Sequence, residues 1–185
     1  MSRLLALLFA LAIAPAQATE PWEKFFSKGL GDYREELAEA RTTGKKGVMF
    51  VYQMEGCEYC DRMKAAVLAR PEVQDWYGKR FAAYSIDIMG SVEMVDFSGR
   101  RTTEGRFARA SLVQGMPTVD FFDLEGRLIA RVPGEIPDAR TFIALGEWVA
   151  SGAHATQTFD QYRAKRGLKV APLKINKPKL PGSPA

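Results

Sequence analysis

The run "GVMFVYQMEGCEYCDRMKAAVLA" places an apolar, β-rich stretch directly before two closely spaced cysteines and a helical pattern directly after them. Residues 48–52 are apolar without alternation, so a strand there has no polar face to give to water and belongs in the middle of a sheet covered on both sides. Beyond Cys57, Met63, Val67 and Leu68 recur at helical spacing with no breaker before Pro71, which sets Cys57 at the start of a helix. These are the only two cysteines of the 185-residue chain. The fold must therefore bury this strand while bringing its C-terminal end, with the sulfurs, to the surface.

The flanking segments fit that demand. Tyr33, Leu37, Ala40 and Arg41 share a helical face, and Gly44 offers a stop, so a helix ends near Thr43. A short helical turn is expected over residues 73–77, and "FAAYSIDI", residues 81–88, reads as a second strand with Asp87 at its end. "MGSVEMVDFSGRRT" reads as a small hairpin turning at "SGRR", after which Thr102 or Thr103 caps a helix over "EGRFARASLV". Strands over residues 118–123 and 127–132 flank a tight turn at Glu125 and Gly126. A last helix, residues 138–151, carries Phe142, Ile143, Leu145, Trp148 and Val149 on its apolar face, and Gly152 ends it. His154 beyond it is expected on the solvent side. The order α, β, α, β, hairpin insertion, α, β, β, α favours an α/β fold, a mixed sheet with helices on both faces.

The ends of the chain differ from this body. "MSRLLALLFALAIAPAQA" has Arg3 before an apolar run over residues 4–14 and an A-x-A arrangement at Ala16 and Ala18, the pattern of a secretory signal peptide cut after Ala18. The run is far short of the ~20 residues a spanning helix needs. An exported protein of about one domain, residues 19–162, is expected. From Arg163 onward the chain carries seven Lys or Arg and no acid, while residues 19–162 hold eighteen bases against twenty-two acids. The sequence pI of about 9.1 is thus a property of the tail and is no argument for a nucleic-acid partner. Four prolines, Pro172, Pro178, Pro181 and Pro184, keep residues 163–185 out of regular structure, so the tail is expected to be flexible or to hug the surface.

Three uses of the cysteines compete. A disulfide across so short a loop constrains the unfolded chain weakly, ~2 kcal/mol against ~4.7 for a loop of a hundred residues, and a domain of this size does not need it. A closed zinc site wants about four ligands, and the chain has a single histidine. Covalent haem attachment needs His after the second cysteine, where Asp61 stands. Cu(I) suits soft sulfur ligands, and Met54, Met63 or Met116 could join the two thiols, which makes a copper-binding or chaperone-like module the alternative reading. Redox chemistry fits the setting best. At the head of a helix, unpaired N–H groups and the macrodipole favour thiolate at Cys57, which attacks a partner's sulfur, and Cys60, one turn on, resolves the mixed disulfide.

The strand, "GCEYC", helix, and then "GMPTVDFFDLEG" with its hairpin and last helix resemble the thioredoxin-fold family over about residues 33–152. More narrowly, "GCEYCDRM", "YSIDIMGSVEMVDFSGRRTTEGRFA" and "MPTVDFFDLEGRLIARVPG" resemble the periplasmic thioredoxin-related group that includes SoxW-type proteins. The resemblance implies a thiol–disulfide oxidoreductase that needs no metal and no cofactor besides its two sulfurs. It implies that Pro117 is the family's cis-proline facing the sulfurs, with the backbone of Met116 pairing with a substrate strand. It also implies client proteins with disulfides or reactive thiols, and re-reduction by a membrane electron donor.

Two departures narrow this. Thioredoxins proper have Trp before the first cysteine and Gly-Pro between the pair, where Gly56, Glu58 and Tyr59 stand here, and Val51 occupies the place of their buried Asp. A specialised partner is therefore favoured over general thioredoxin activity. Glu55, Glu58 and Asp61, opposed by Arg62 and Lys64, crowd the sulfurs with negative charge and limit thiolate stabilisation, which points to a reductant or exchange protein instead of a strong disulfide donor.

Overall fold

The computed structural model describes residues 19–176, so the signal peptide expected over residues 1–18 and its cleavage after Ala18 lie outside the described residues, as do residues 177–185. Strand β1 (Gly47–Gln53) is the centre of the molecule. It pairs in parallel with β2 (Phe81–Asp87) and antiparallel with β5 (Thr118–Phe122), and β5 pairs antiparallel with β6 (Leu128–Pro133), giving a mixed sheet of order β2-β1-β5-β6. Val48, Phe50 and Tyr52 point to one face and Met49 and Val51 to the other, all at most 2 % exposed, as an apolar run without alternation requires.

The two faces carry separate cores. On one, α2 (Glu58–Met63), α3 (Pro71–Gly78), α5 (Ala139–Ala150) and α6 (Phe159–Lys165) bury Met63, Tyr77, Phe142, Trp148 and Tyr162 against Met49, Val51 and Phe121. Phe25, from a 3₁₀ turn over Pro21–Phe25, joins this core. On the other, α1 (Tyr33–Thr42) and α4 (Glu104–Ala110) cover Phe50, Tyr52 and Phe122. The hairpin insertion is β3 (Glu93–Val95) with β4 (Arg101–Thr103), and its Phe97 stacks on Phe50 at 5.5 Å and 10°. Asp96 closes its turn by accepting from the Ser98 and Arg100 backbone N–H groups and the Arg100 side chain. This is the α/β architecture expected, with helices on both faces.

Three boundaries move for local reasons. The single helix expected from Cys57 toward Pro71 is α2 followed by a π turn over Lys64–Leu68. Met63, Val67 and Leu68 all lie in the core. The helix expected through Val113 stops at Ala110, and Leu112 follows with φ +55°. The boundary drawn after residue 162 falls inside α6.

The basic extension lies on the body as far as it is described. Val170 is buried, the Ala171 N–H donates to Thr141 Oγ1 at 3.1 Å, and Leu168, Leu173 and Ile175 pack on the core. Asn176 and Arg131 exchange backbone hydrogen bonds of 2.8 and 3.0 Å, so the extension shields part of β6, an edge strand. Cutting the chain after Gly167 is expected to lower stability by about 1–3 kcal/mol in urea unfolding and to promote self-association by light scattering.

Arg131 also holds the interior together. Its guanidinium grips the Asp120 carboxylate at 2.7 and 2.6 Å and donates to the Ser111 carbonyl at 2.6 Å. Asp120 is fully buried, and burial pushes its carboxyl up while Arg131 pulls it down. Arg131→Ala is expected to cost about 3–5 kcal/mol because it strands a buried carboxylate, and Asp120→Asn combined with Arg131→Met should recover part of that loss in the same denaturation experiment.

Candidate active site

The loop after β1 brings both cysteines to the C-terminal end of the sheet. Gly56 there has φ +72°, a left-handed conformation natural to glycine, which gives a local reason why no bulky residue precedes the first cysteine. Cys57 is the N-cap of α2 with extended backbone, and its Sγ accepts the Cys60 N–H at 3.2 Å. Its carbonyl takes the Asp61 N–H at 3.0 Å, starting the helix. Cys60 lies on the inward side of the same turn. The two sulfurs are bonded, with the Cα atoms 5.2 Å apart. Cys60 is 2 % exposed while Cys57 is half-buried, so one sulfur of the pair is the more open to a partner.

The Met116–Pro117 peptide is cis, as the resemblance implies. Pro117 precedes β5, whose first residue, Thr118, is registered with Tyr52 near the end of β1, so the proline and the cysteine loop emerge from the same end of adjacent strands. Pro117 is buried and Met116 half-buried. The Pro117 carbonyl accepts the Gly134 N–H at 2.8 Å, and the Thr118 hydroxyl donates to the Gly115 carbonyl at 2.7 Å, which fixes the backbone on both sides of the proline.

Charge around the pair is more ordered than the sequence suggests. Arg62 binds Glu58 at 2.7 Å and, from across the fold, Glu135 at 2.8 Å, and its guanidinium lies 4.3 Å from the centre of the Tyr59 ring. Lys64 pairs with Asp61 at 3.3 Å and lies over Trp22. Glu135 escaped the sequence reading. It is seventy-three residues from Arg62, and nothing in its local sequence marks it.

Other residues weighed in the sequence fall as follows. Met63 is 1 % exposed and packs in the core. Asp87 ends β2 and accepts the Met89 N–H at 2.9 Å. His154, expected toward solvent, is half-buried edge-on to Trp148. Val51 faces the same core as Met63, and no carboxylate replaces it from the neighbouring strand: Val119 stands opposite, and Asp120 points to the other face of the sheet. Among the described residues no group of three or more His, Cys, Asp or Glu is arranged to hold a metal ion.

The profile of a thioredoxin-like domain matches residues 33–149. The chain belongs to that family. Among solved structures, a thioredoxin-fold protein from Helicobacter pylori is 24 % identical, with a TM-score of 0.60, over 78 % of this chain and 88 % of that one. A DsbH oxidoreductase is 17 % identical, with a TM-score of 0.53, over 80 % of this chain and 95 % of that one. Among curated protein sequences none is similar enough to match. The family, together with the bonded CxxC pair at the head of α2, makes the protein a thiol–disulfide oxidoreductase of thioredoxin-like type.

The difference in exposure has a measurable consequence. In the reduced protein at pH 7, iodoacetamide is expected to modify Cys57 at least about tenfold faster than Cys60, read by peptide mass spectrometry, because thiolate character and access both favour the outer sulfur.

Proposed function

We propose that the protein is an exported reductant or exchange protein for client proteins that carry disulfides or reactive thiols. It would act in the periplasm, where the leader over residues 1–18 would send it. Cys57 is the nucleophile, Cys60 the resolving thiol, and Met116 and Pro117 shape the groove that receives the client. The observation that carries this reading is the asymmetry of the pair: Cys57 is half-exposed at the N-cap with an N–H on its sulfur, while Cys60 is buried one turn below.

In the reducing direction the Cys57 thiolate attacks one sulfur of a client disulfide, a mixed disulfide forms, and the other client sulfur leaves as thiolate. Cys60 then loses its proton, attacks the Cys57 sulfur, and expels the second client sulfur, so two electrons pass to the client and the pair is left as the disulfide seen here. The Cys60 N–H stabilises charge on Cys57 both as entering thiolate and as leaving group. Val51 supplies no proton acceptor, so the Cys60 proton goes to water or to another base. A further turnover needs an external two-electron thiol reductant, which the resemblance to SoxW-type proteins assigns to a membrane electron carrier.

The acids at Glu55, Glu58 and Asp61 support the reducing direction, since strong oxidants of this fold depend on a well-stabilised thiolate. The test uses a disulfide-bonded protein substrate with a regenerating thiol. Wild type is expected to turn over, Cys57→Ser to be inactive, and Cys60→Ser to accumulate a mixed disulfide that non-reducing gels resolve. Equal turnover by wild type and Cys57→Ser would contradict the proposal.

A further inference from the structure

Arg62 stands two residues past Cys60 and meets three groups at once. Its Nη1 donates to Glu58 at 2.7 Å, its Nε and Nη2 donate to the Glu135 carboxylate at 3.2 and 2.8 Å, and the guanidinium carbon lies 4.3 Å from the Tyr59 ring centre. Glu58 and Tyr59 are the two residues between the cysteines. Glu135 follows Gly134, whose N–H holds the Pro117 carbonyl. One side chain thus joins the intervening dipeptide to the segment that fixes the proline.

The charge balance makes that side chain more than a brace. The titratable groups that flank the dithiol are Glu55 in the preceding loop, Glu58, Asp61, Arg62 and Lys64 along α2 and the turn after it, and Glu135 from the segment after β6. Lys64 is engaged by Asp61 and Trp22. Arg62 is therefore the cation set against Glu58 and Glu135, and its loss would leave four carboxylates opposed by one lysine. An anionic surround disfavours thiolate. The hydrogen bonds that Arg62 donates to Glu135 come first among the causes that hold its guanidinium firmly in the charged form.

We propose that Arg62 is a positioning residue of the dithiol, one that keeps Cys57 reactive at neutral pH by offsetting Glu58 and Glu135 and that holds Tyr59 and Glu58 to the side of the helix. This rests on the reading of Cys57 as the nucleophile. Its partner Glu135 acts with the opposite sign, because the carboxylate that orients Arg62 also adds negative charge.

The experiment is stopped-flow alkylation of Cys57 by iodoacetamide in the reduced full chain, over a range of pH, at low salt and at about 1 M NaCl. At pH 7 and low salt, Arg62→Gln is expected to react about two- to fivefold more slowly, with its titration midpoint moved up. Arg62→Lys, which keeps the charge, should stay within about twofold of wild type, and Glu135→Gln should react faster. The differences should collapse at about 1 M NaCl, where charges beyond about 3 Å are screened. Equal rates for wild type and Arg62→Gln, or Arg62→Gln and Glu135→Gln slowed alike and regardless of salt, would overturn the inference. Circular dichroism melts of each variant identify any that fails to fold, and Arg62→Lys with Glu135→Gln then decides the sign. A wild-type Cys57 no faster than Cys60 would instead overturn the nucleophile assignment beneath it.

Discussion

Burial of β1 on both faces is the constraint from which the rest follows. A strand without a polar face must have a paired strand on each side and a helical layer above and below, and β2, β5, α1, α2, α4 and α5 provide them. Because β1 is rigidly held, the loop that leaves its C-terminal end has a fixed origin. The cysteines, the start of β5 with Pro117, and the end of β6 with Gly134 and Glu135 all emerge at that end. Three segments distant in sequence thereby converge at the end of the sheet that carries the S–S bond.

Two ion pairs secure that arrangement in different ways. Asp120 and Arg131 form an interior pair whose members face each other directly across β5 and β6, and Arg131 extends to the carbonyl of Ser111, at the head of the connection that leads to Met116 and Pro117. Breaking it is costly because the carboxylate has no access to water. Arg62 and Glu135 form a half-exposed pair whose contribution to stability is small. The proposed role of Arg62 rests on where this pair places charge, against Glu58 between the two cysteines.

Much of this was legible in the sequence because periodicity and turn chemistry act locally. The apolar run over β1, the cap at Thr103 and the stop at Gly44 mark elements whose ends they help set. Cys57 and Cys60 could be singled out because they are the chain's two cysteines, set three positions apart where a strand gives way to a helix, whereas Pro117 stood out through the family resemblance. The π turn after Met63 was not legible, since Met63, Val67 and Leu68 fit a regular helix equally well as a pattern. Nor was the engagement of Glu135 by Arg62, a contact between segments that only the closed sheet brings together. Of the two behaviours expected of the basic tail, the part described through Asn176 hugs the surface, held by Val170, Leu173 and Ile175, apolar residues spaced among the lysines that charge counting overlooks.

The reading of this site as a working dithiol, poised to give electrons, is tested most directly by the reduction potential of the Cys57–Cys60 pair, measured by trapping thiols across a series of glutathione and dithiothreitol buffers. A reversible two-electron couple near or below about −200 mV is expected. A value near about −120 mV would make the protein an oxidant and contradict the proposed direction, and a pair that does not cycle at all would contradict the redox role itself.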